Sequence, residues 1–429
     1  MQNGKAEIKM KKKNILPELS GVTVTPVLLG ADLNCYNVAR AFHEYCGAKS
    51  YAFGRYRIGS TKYTRIINFK QVDKLDDDSV LLAELNAFAD EHAGEKLILM
   101  GCTDDYASMI IRHKAELSGR FITPCINAEL MEDITLKDRF YGYCEKHGIP
   151  YPATAVIEKG MHLDVAPFDL PVIIKPSSSV LYWKYPFDGM KKVYRAHSLD
   201  EANSIIDTIY ASGYPDKLIV QDTIPGGDSY MYTMTAYCGS DARVRMMCLG
   251  HVLLEEHTPK GMGNHAAILT AYNRPLMEKL RAFLEEIGYV GYANFDIKFD
   301  TRDGEYKLFE INVRQGRSNY YVTASGCNIA KYIVEDYILG RKTETCYFCD
   351  RRAYWSYLPE KLVMRYATEE ERDAILACKN EKTAFSSMHY EVDTFMNPLR
   401  SFYIAMHERG QIKKFETYYP PEAVGNYNK

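Results

Sequence analysis

Positive charge is not in excess in this chain of 429 residues: 53 lysines and arginines stand against 56 aspartates and glutamates, a net charge of −3. The electrostatic footprint by which proteins hold nucleic acid is therefore missing, and no nucleic-acid partner is expected. No apolar run approaches the ~18 residues that span a bilayer. The opening "MQNGKAEIKMKKKN" has no apolar stretch behind it, so it does not read as a secretory signal. Residues 1–20 are expected to form a mobile tail. The 11 cysteines are scattered and odd in number, which fits reduced thiols of a cytoplasmic protein rather than a disulfide framework. Cys346 and Cys349 make a Cys-x-x-Cys pair, but no second close pair of cysteines or histidines completes the four ligands of a zinc site. Internal repeats and low-complexity tracts are absent. So is the multi-glycine dinucleotide fingerprint, because the apolar run 22–29 ends on Gly30 alone.

What is present is regular alternation. The run 22–29, the turn at Gly30 and the spacing of Val38, Ala39, Phe42 and Tyr45 read as strand, turn and helix. "KLILMGC" from Lys96 reads as a further strand, followed by a helix capped by Thr103. Strands alternating with helices predict a parallel sheet, and residues 21–130 are expected to form an α/β domain. Lys137, Phe140, Tyr141 and Cys144 share one helix face, and His147-Gly148 closes that helix before Pro150. "LPVIIKP" is a short buried strand ending at Lys175, ahead of a serine-rich loop. Residues 199–212 make an amphipathic helix. "KLIVQDTIPGGDSYMYTMTAYC" is strand, turn and strand. "ARVRMMCLGHVLL" is a strand on which Arg243 and Arg245 share a face, either as a solvent-facing pair or, for Arg245, as a phosphate contact.

The chemistry concentrates in "YANFDIKFDTRDGEYKLFEINVRQGR", which reads as a hairpin. Side chains alternate along a strand. Ala293, Phe295, Ile297 and Phe299 fall on one face, with Asn294, Asp296 and Lys298 on the other. The returning strand puts Phe309, Ile311 and Val313 on its apolar face and Glu310, Asn312 and Arg314 on its polar one. A two-residue turn at Asp303-Gly304 would oppose Asp296 to Ile311. A three-residue loop, Arg302-Asp303-Gly304, opposes Asp296 to Glu310 and Asn294 to Asn312, and brings both apolar faces onto one core. Gly304 supplies the left-handed residue such a loop needs. Burial of one face fixes register strongly, so the second pairing is expected. Two carboxylates and an amide oxygen then converge without histidine or cysteine, a donor set suited to magnesium carrying phosphate oxygens.

These residues resemble the ATP-grasp superfamily of carboxylate–amine ligases. The Asp…Glu-x-Asn pattern of Asp296, Glu310 and Asn312 is similar to its magnesium site. Lys137 ahead of "GIPYP", and Lys175 at the end of "PVIIKP", resemble its two nucleotide lysines. In "VQDTIPGGDS", Gln221 matches the contact to the adenine amine, Ile224 the backbone that reads the ring edge, and Asp228 the acid on the ribose hydroxyls. "LGADLNCYNVARAF", "IVQDTIPGGDS" and "ANFDIKFDTRDGEYKLFEINVRQGRSNYYVT" resemble more closely the D-aspartate ligases of Gram-positive cell-wall synthesis, over about residues 25–340. The resemblance implies ATP and magnesium as cofactors. It implies a small-molecule acid, D-aspartate, as one substrate, and the lysine ε-amine of a peptidoglycan precursor as the other. It places Ser177 and Ser178 at the phosphates, in a loop that departs from the superfamily's glycine-rich one. Arg314 and Arg317 are expected to hold the carboxylate and the oxyanion formed from it.

The expected fold is α/β and α+β: an N-terminal α/β (pre-ATP-grasp) domain at 21–130, then a two-lobed ATP-grasp domain with mixed and antiparallel sheets at 131–345, its lid lobe at 150–225. A small C-terminal extension occupies 346–429. The glycine-containing loop 257–267 is placed to close over substrate. "MNPLRSFYIAMHERGQIKKFETYY" reads as a packed C-terminal helix or as an element in weak contact with a membrane surface. Two other functional readings remain, a ligase for a different acid or amine and a nucleotide-binding protein without catalysis. The intact Asp296, Glu310, Asn312 and Lys175 weigh against the latter.

Overall fold

The structure, a computed structural model, describes residues 16–258 and 261–421. Most of the expected tail, residues 1–15, and Pro259 and Lys260 of the loop 257–267 lie outside the described residues. Residues 16–20 include a short 3-10 turn, Pro17–Leu19, with Leu19 buried. Among the described residues no helix is long and apolar enough to cross a membrane.

Three sheets organise the chain. The first is four-stranded and wholly parallel, in the order Ile67–Gln71, Ser50–Gly54, Val24–Leu29, Lys96–Gly101. Val27, Leu28 and Leu29 are fully buried, as the continuous apolar run requires of a strand covered on both faces. Gly30 turns the chain at φ +138°, where a Cβ would stand 3.0 Å from Cys102 Cβ. Asp32 then caps the helix Leu33–Cys46 by accepting from the Cys35 N–H at 3.1 Å. Thr103 caps Asp104–Arg112 in the same way.

The second sheet is small and antiparallel, in the order Thr154–Ile157, Leu218–Asp222, Val172–Pro176, Tyr194–Ala196. The helix Leu199–Ala211 packs its Ala202, Ile206 and Ile209 into the core of this lobe.

The third sheet is the largest. Its order is Glu305–Asn312, Gly291–Asp300, Met231–Cys238, Val244–Glu255, His265–Ala271, Tyr354–Ser356, Ala384–Ser386, with Tyr347–Phe348 pairing beside Val244–Glu255. Residues after 346 thus supply three strands of the central sheet. The last helix, Pro398–Tyr418, buries Arg400, Ile404, Gln411 and Phe415. Arg400 donates to the carbonyls of Ser60 and Lys62 at 2.8 and 2.7 Å, and its Nε stands 3.2 Å from Asp393, both side chains fully buried.

The hairpin keeps the expected pairing by a different route. Asn294 opposes Asn312 and Asp296 opposes Glu310. The connecting loop is not the three-residue one, however. Asp300 still pairs with Glu305, so Thr301, Arg302, Asp303 and Gly304 turn the chain, with Gly304 at φ +76°. An even-length loop alone would put Glu310 on the wrong face. A β-bulge at Phe309 restores the parity, because Asp296 pairs with Glu310 and the next residue, Ile297, pairs with Leu308. The loop begins at Asp300 because this fully buried carboxylate is gripped by Arg302 and Lys307, each at 2.7 Å. The bulge also corrects the apolar face. Leu308 joins Ile311 and Val313 in the core, while Phe309 turns out to line a cleft.

Candidate active site

That cleft, of about 320 Å³, lies between the small sheet and the central one. Asp296 and Glu310 stand in its wall on adjacent strands, and Asn312 lines a neighbouring cleft of about 760 Å³ that shares Lys137, Lys192 and Glu310 with it. The Asp296 carboxylate is held between two amides, with Asn294 Nδ2 donating to Oδ1 at 3.4 Å and Asn312 Nδ2 to Oδ2 at 3.3 Å. Asn294 is itself fixed, its Oδ1 accepting from Thr233 and Thr235 at 3.2 and 3.1 Å. Gly316 permits this: a Cβ there would meet Asn294 Oδ1 at 2.6 Å.

The lysines oppose the acids. Lys137, at the first position of the helix Lys137–Lys146, stands 3.0 Å from Glu310 Oε2 and is nearly buried. Its charge, first of all, holds Glu310 well below the ordinary carboxylate range. Asp296 moves the other way, pushed up to about 7 by burial and then by the charge of Glu310. Lys175 ends the strand Val172–Pro176 with its Nζ above the Phe309 ring and 3.4 Å from the Tyr141 hydroxyl. Burial, then the neighbouring Lys137, brings Lys175 down to about 7. Tyr141 knits this corner: its hydroxyl donates to the Phe309 carbonyl at 2.9 Å, steadying the bulge, and accepts from Gln221 Nε2 at 3.0 Å.

Gln221 and Ile224 line the same cleft. The Ile224 carbonyl accepts from Lys298 Nζ at 2.9 Å. The structure thus brings together Lys137, Lys175, Gln221, Ile224, Asp296, Glu310 and Asn312.

Other expected residues sit elsewhere. Ser177 is fully buried and donates to Asp138 at 2.8 Å, and Ser178 accepts from the Leu181 N–H at the start of a short helix, although Ser178 also borders the larger cleft. Asp228 is occupied within the protein, accepting from the Glu255 N–H at 2.8 Å, with His257 Nε2 at 2.7 Å. Arg245 is a correction. It lies ten residues from Glu255 along one strand, Val244–Glu255, roughly 33 Å away. There it pairs with Asp241 at the far end of the sheet, so a phosphate contact from it is not supported. Arg314 forks onto Asp104 through Nε and Nη2 at 2.7 and 3.0 Å, and Arg317 pairs with Glu256 at 3.0 Å.

Sequence reasoning missed Glu255, Lys298 and His265 in the cleft wall. Glu255 is pushed up to about 8 by burial, then by Asp228 and Asp296. Its only signal was an acid ending the apolar run "HVLLE". The eleven cysteines are all free thiols.

The arrangement can hold a polyanion against two lysines on one side and a cation against oxygen donors on the other. Solved structures share its framework. The chain resembles the N5-carboxyaminoimidazole synthetase of Staphylococcus aureus complexed with ADP, at 12% identity and a TM-score of 0.57, over 82% of this chain and 86% of that one. It also resembles the biotin carboxylase domain of Hydrogenobacter thermophilus 2-oxoglutarate carboxylase in complex with MgADP, ADP and bicarbonate. That likeness has 14% identity and a TM-score of 0.53, over 77% of this chain and 73% of that one. No family profile matches the chain. Fold and site define an ATP-grasp enzyme, of the carboxylate–amine ligase class. In sequence the chain is 42% identical over 358 residues to the D-aspartate ligase of Enterococcus faecium (strain Aus0004), across 81% of this chain and 85% of that protein. It belongs to the D-aspartate ligase family.

Proposed function

We propose that this protein joins the β-carboxylate of D-aspartate to the ε-amine of lysine in a peptidoglycan precursor, in the cytoplasm, with ATP converted to ADP and phosphate. The observation that carries the reading is the hairpin pairing of Asp296 with Glu310 and Asn294 with Asn312, set opposite Lys137 and Lys175. The 42% identical relative supports the choice of acid. We also propose the division into 21–130, 131–345 with its lid lobe at 150–225, and 346–429.

The residues fit magnesium. The donor set is all oxygen, and the ionised Glu310 adds to burial in holding the Asp296 carboxyl protonated, a repulsion that a divalent cation would relieve. When bound, the ion neutralises charge on the terminal phosphates of ATP. Lys137 and Lys175 meet phosphate oxygens as compact charges. Gln221 and Ile224 line the place for the base. Arg314 and Arg317 orient the acid for attack on the γ-phosphorus, which gives an acyl-phosphate. Arg314 then stabilises the oxyanion as the amine attacks and phosphate leaves. The small sheet closes the cleft and keeps water from the acyl-phosphate.

The test is phosphate release from ATP with a panel of D- and L-amino acids, with and without a lysine stem peptide, and products read by mass spectrometry. D-aspartate-dependent release and a product heavier by one aspartyl residue are expected. Release that no acid stimulates would remove the ligase reading, and release that follows another acid would replace the substrate.

A further inference from the structure

Arg317 sits in surroundings that nucleotide binding does not explain. Its guanidinium carbon lies 5.1 Å from the centre of the Tyr357 ring, and its Nη2 donates to Glu256 Oε1 at 3.0 Å. Its Nη1 is buried and has no hydrogen-bond partner among the described residues. Buried guanidinium nitrogens are nearly always paired, so an orphan one marks the place of an absent acceptor.

The surroundings say what kind of acceptor. Glu256 is nearly buried, and Gly261 leaves room for its second oxygen, since a Cβ there would fall 2.3 Å from Glu256 Oε2. Asp32, the cap of the helix Leu33–Cys46, stands two residues before Asn34, whose Nδ2 donates at 3.2 Å to the carbonyl of Gln315, two residues before Arg317. The Arg317 carbonyl accepts from Asn37 Nδ2 at 3.1 Å, which docks its loop on that same helix. Three distant stretches therefore place two carboxylates around one guanidinium that still has a donor to offer. A phosphate or a plain dicarboxylate would answer the orphan donor but bring its own negative charge against Glu256 and Asp32. A group with an anion and a cation on neighbouring atoms answers both. The cluster borders the cleft: Glu256 follows Glu255 of the cleft wall, and Gly316, beside Arg317, packs against Asn294, which donates to Asp296 of the same wall.

We infer that Asp32, Glu256 and Arg317 form the clamp for the α-carbon of the amino-acid substrate. Arg317 Nη1 takes the α-carboxylate, and Glu256 and Asp32 face the α-ammonium. This inference rests on the ligase reading above and adds to it the residues that read the zwitterion. With the side-chain carboxylate directed at the phosphates, three attachment points are fixed, and three points distinguish one enantiomer from the other. Tyr357 is a positioning residue: its hydroxyl stands 2.6 Å from His407 Nε2 on the last helix, which holds the ring under the guanidinium.

The test uses hydroxylamine to trap acyl-phosphate as hydroxamate, so no acceptor peptide is needed. The full-length protein is given ATP, magnesium and one of D-aspartate, L-aspartate, succinate, which lacks the amine, or 3-aminopropanoate, which lacks the α-carboxylate. The wild type is expected to prefer D-aspartate over each of the others. Glu256→Gln should lower the ratio of kcat/KM for D-aspartate to that for succinate at least tenfold, with the KM for ATP unmoved. Asp32→Asn, which preserves the helix cap, carries the same comparison if Glu256→Gln does not fold. Arg317→Lys should bring D-aspartate down toward 3-aminopropanoate. Equal losses for aspartate and succinate in both acidic variants, or a wild type indifferent to the α-amine, overturn the clamp and leave the ligase reading standing. A wild type that forms no hydroxamate from any acid overturns both.

Discussion

Asp296 and Glu310 face each other across one antiparallel pair, yet their carboxyls are driven in opposite directions. Lys137, 3.0 Å away, holds Glu310 ionised, while burial and that ionised neighbour push Asp296 up to about 7. The pair thus stands close to one charge short of what a divalent cation would meet, and Glu310 is the permanent anion.

Glu310→Gln should therefore be the more damaging of the two amide substitutions. Acid-dependent phosphate release is expected to fall at least ~10²-fold, the scale for removing a group aimed at transition-state charge. Circular dichroism and the unfolding midpoint should change little, because the side chain keeps its shape. Retained turnover would show that the metal assignment is misplaced.

Lys175, brought down to about 7, should make nucleotide binding pH-linked. Near pH 7 about half of the free protein carries a neutral lysine there. A phosphate placed on it raises its pKa, so binding takes up protons: little at pH 6, roughly half a proton at pH 7, more at pH 8. Calorimetric titration with ADP in two buffers of different ionisation enthalpy reads this directly, and Lys175→Met should shrink the difference between buffers, Asp296 and Glu255 of the same cleft supplying what remains.

Two buried histidines set an acid limit. Burial lowers His265 and His407 to about 4 each. In the unfolded chain both titrate near 6.5, so between these values the unfolded state binds more protons than the folded one. Their stabilising contribution is complete above ~6.5 and is lost as pH falls toward 4. Asp296 and Glu255, pushed up by burial, act in the opposite sense over the same range, so the histidine contribution is read by comparison: His407→Gln should lose less unfolding free energy than the wild type between pH 7.5 and pH 5 in urea denaturation.

The Arg400–Asp393 pair, fully buried on both sides, should be costly to break from one end. Arg400→Met leaves Asp393 facing Tyr36, Thr64 and the Arg65 N–H without its cation. A loss of about 3–5 kcal/mol is expected for removing one partner of such a pair. Arg400→Met combined with Asp393→Leu should recover part of it, as a double-mutant cycle in urea would show.

Much of the site lay open in the sequence because its determinants are local. Alternation put Asp296, Glu310 and Asn312 on polar faces, and an apolar strand ending in Lys175 pointed to the cleft. What stayed hidden depends on distant partners. The bulge at Phe309 is set by Asp300, Arg302, Lys307 and the Tyr141 hydroxyl. No periodicity reveals it, so an even-length loop was read as an odd one. Arg245 looked chemical because it alternates along a strand, but alternation does not say which end of the strand meets the cleft. Glu256 and Asp32 become neighbours of Arg317 only through long-range packing. The strands Tyr347–Phe348, Tyr354–Ser356 and Ala384–Ser386 are two or three residues long, too short for a pattern to announce them.

The fastening of the last helix to the first domain bears on how the protein is made. Ser60 is synthesised 340 residues before Arg400, which satisfies its carbonyl, and Tyr36 357 residues before Asp393, which accepts from its hydroxyl. The parallel sheet can assemble while translation continues, but the loop beside it stays without its partners until those residues follow. A chain stopped short of Arg400 is thus born with a loop in its first domain that lacks these partners.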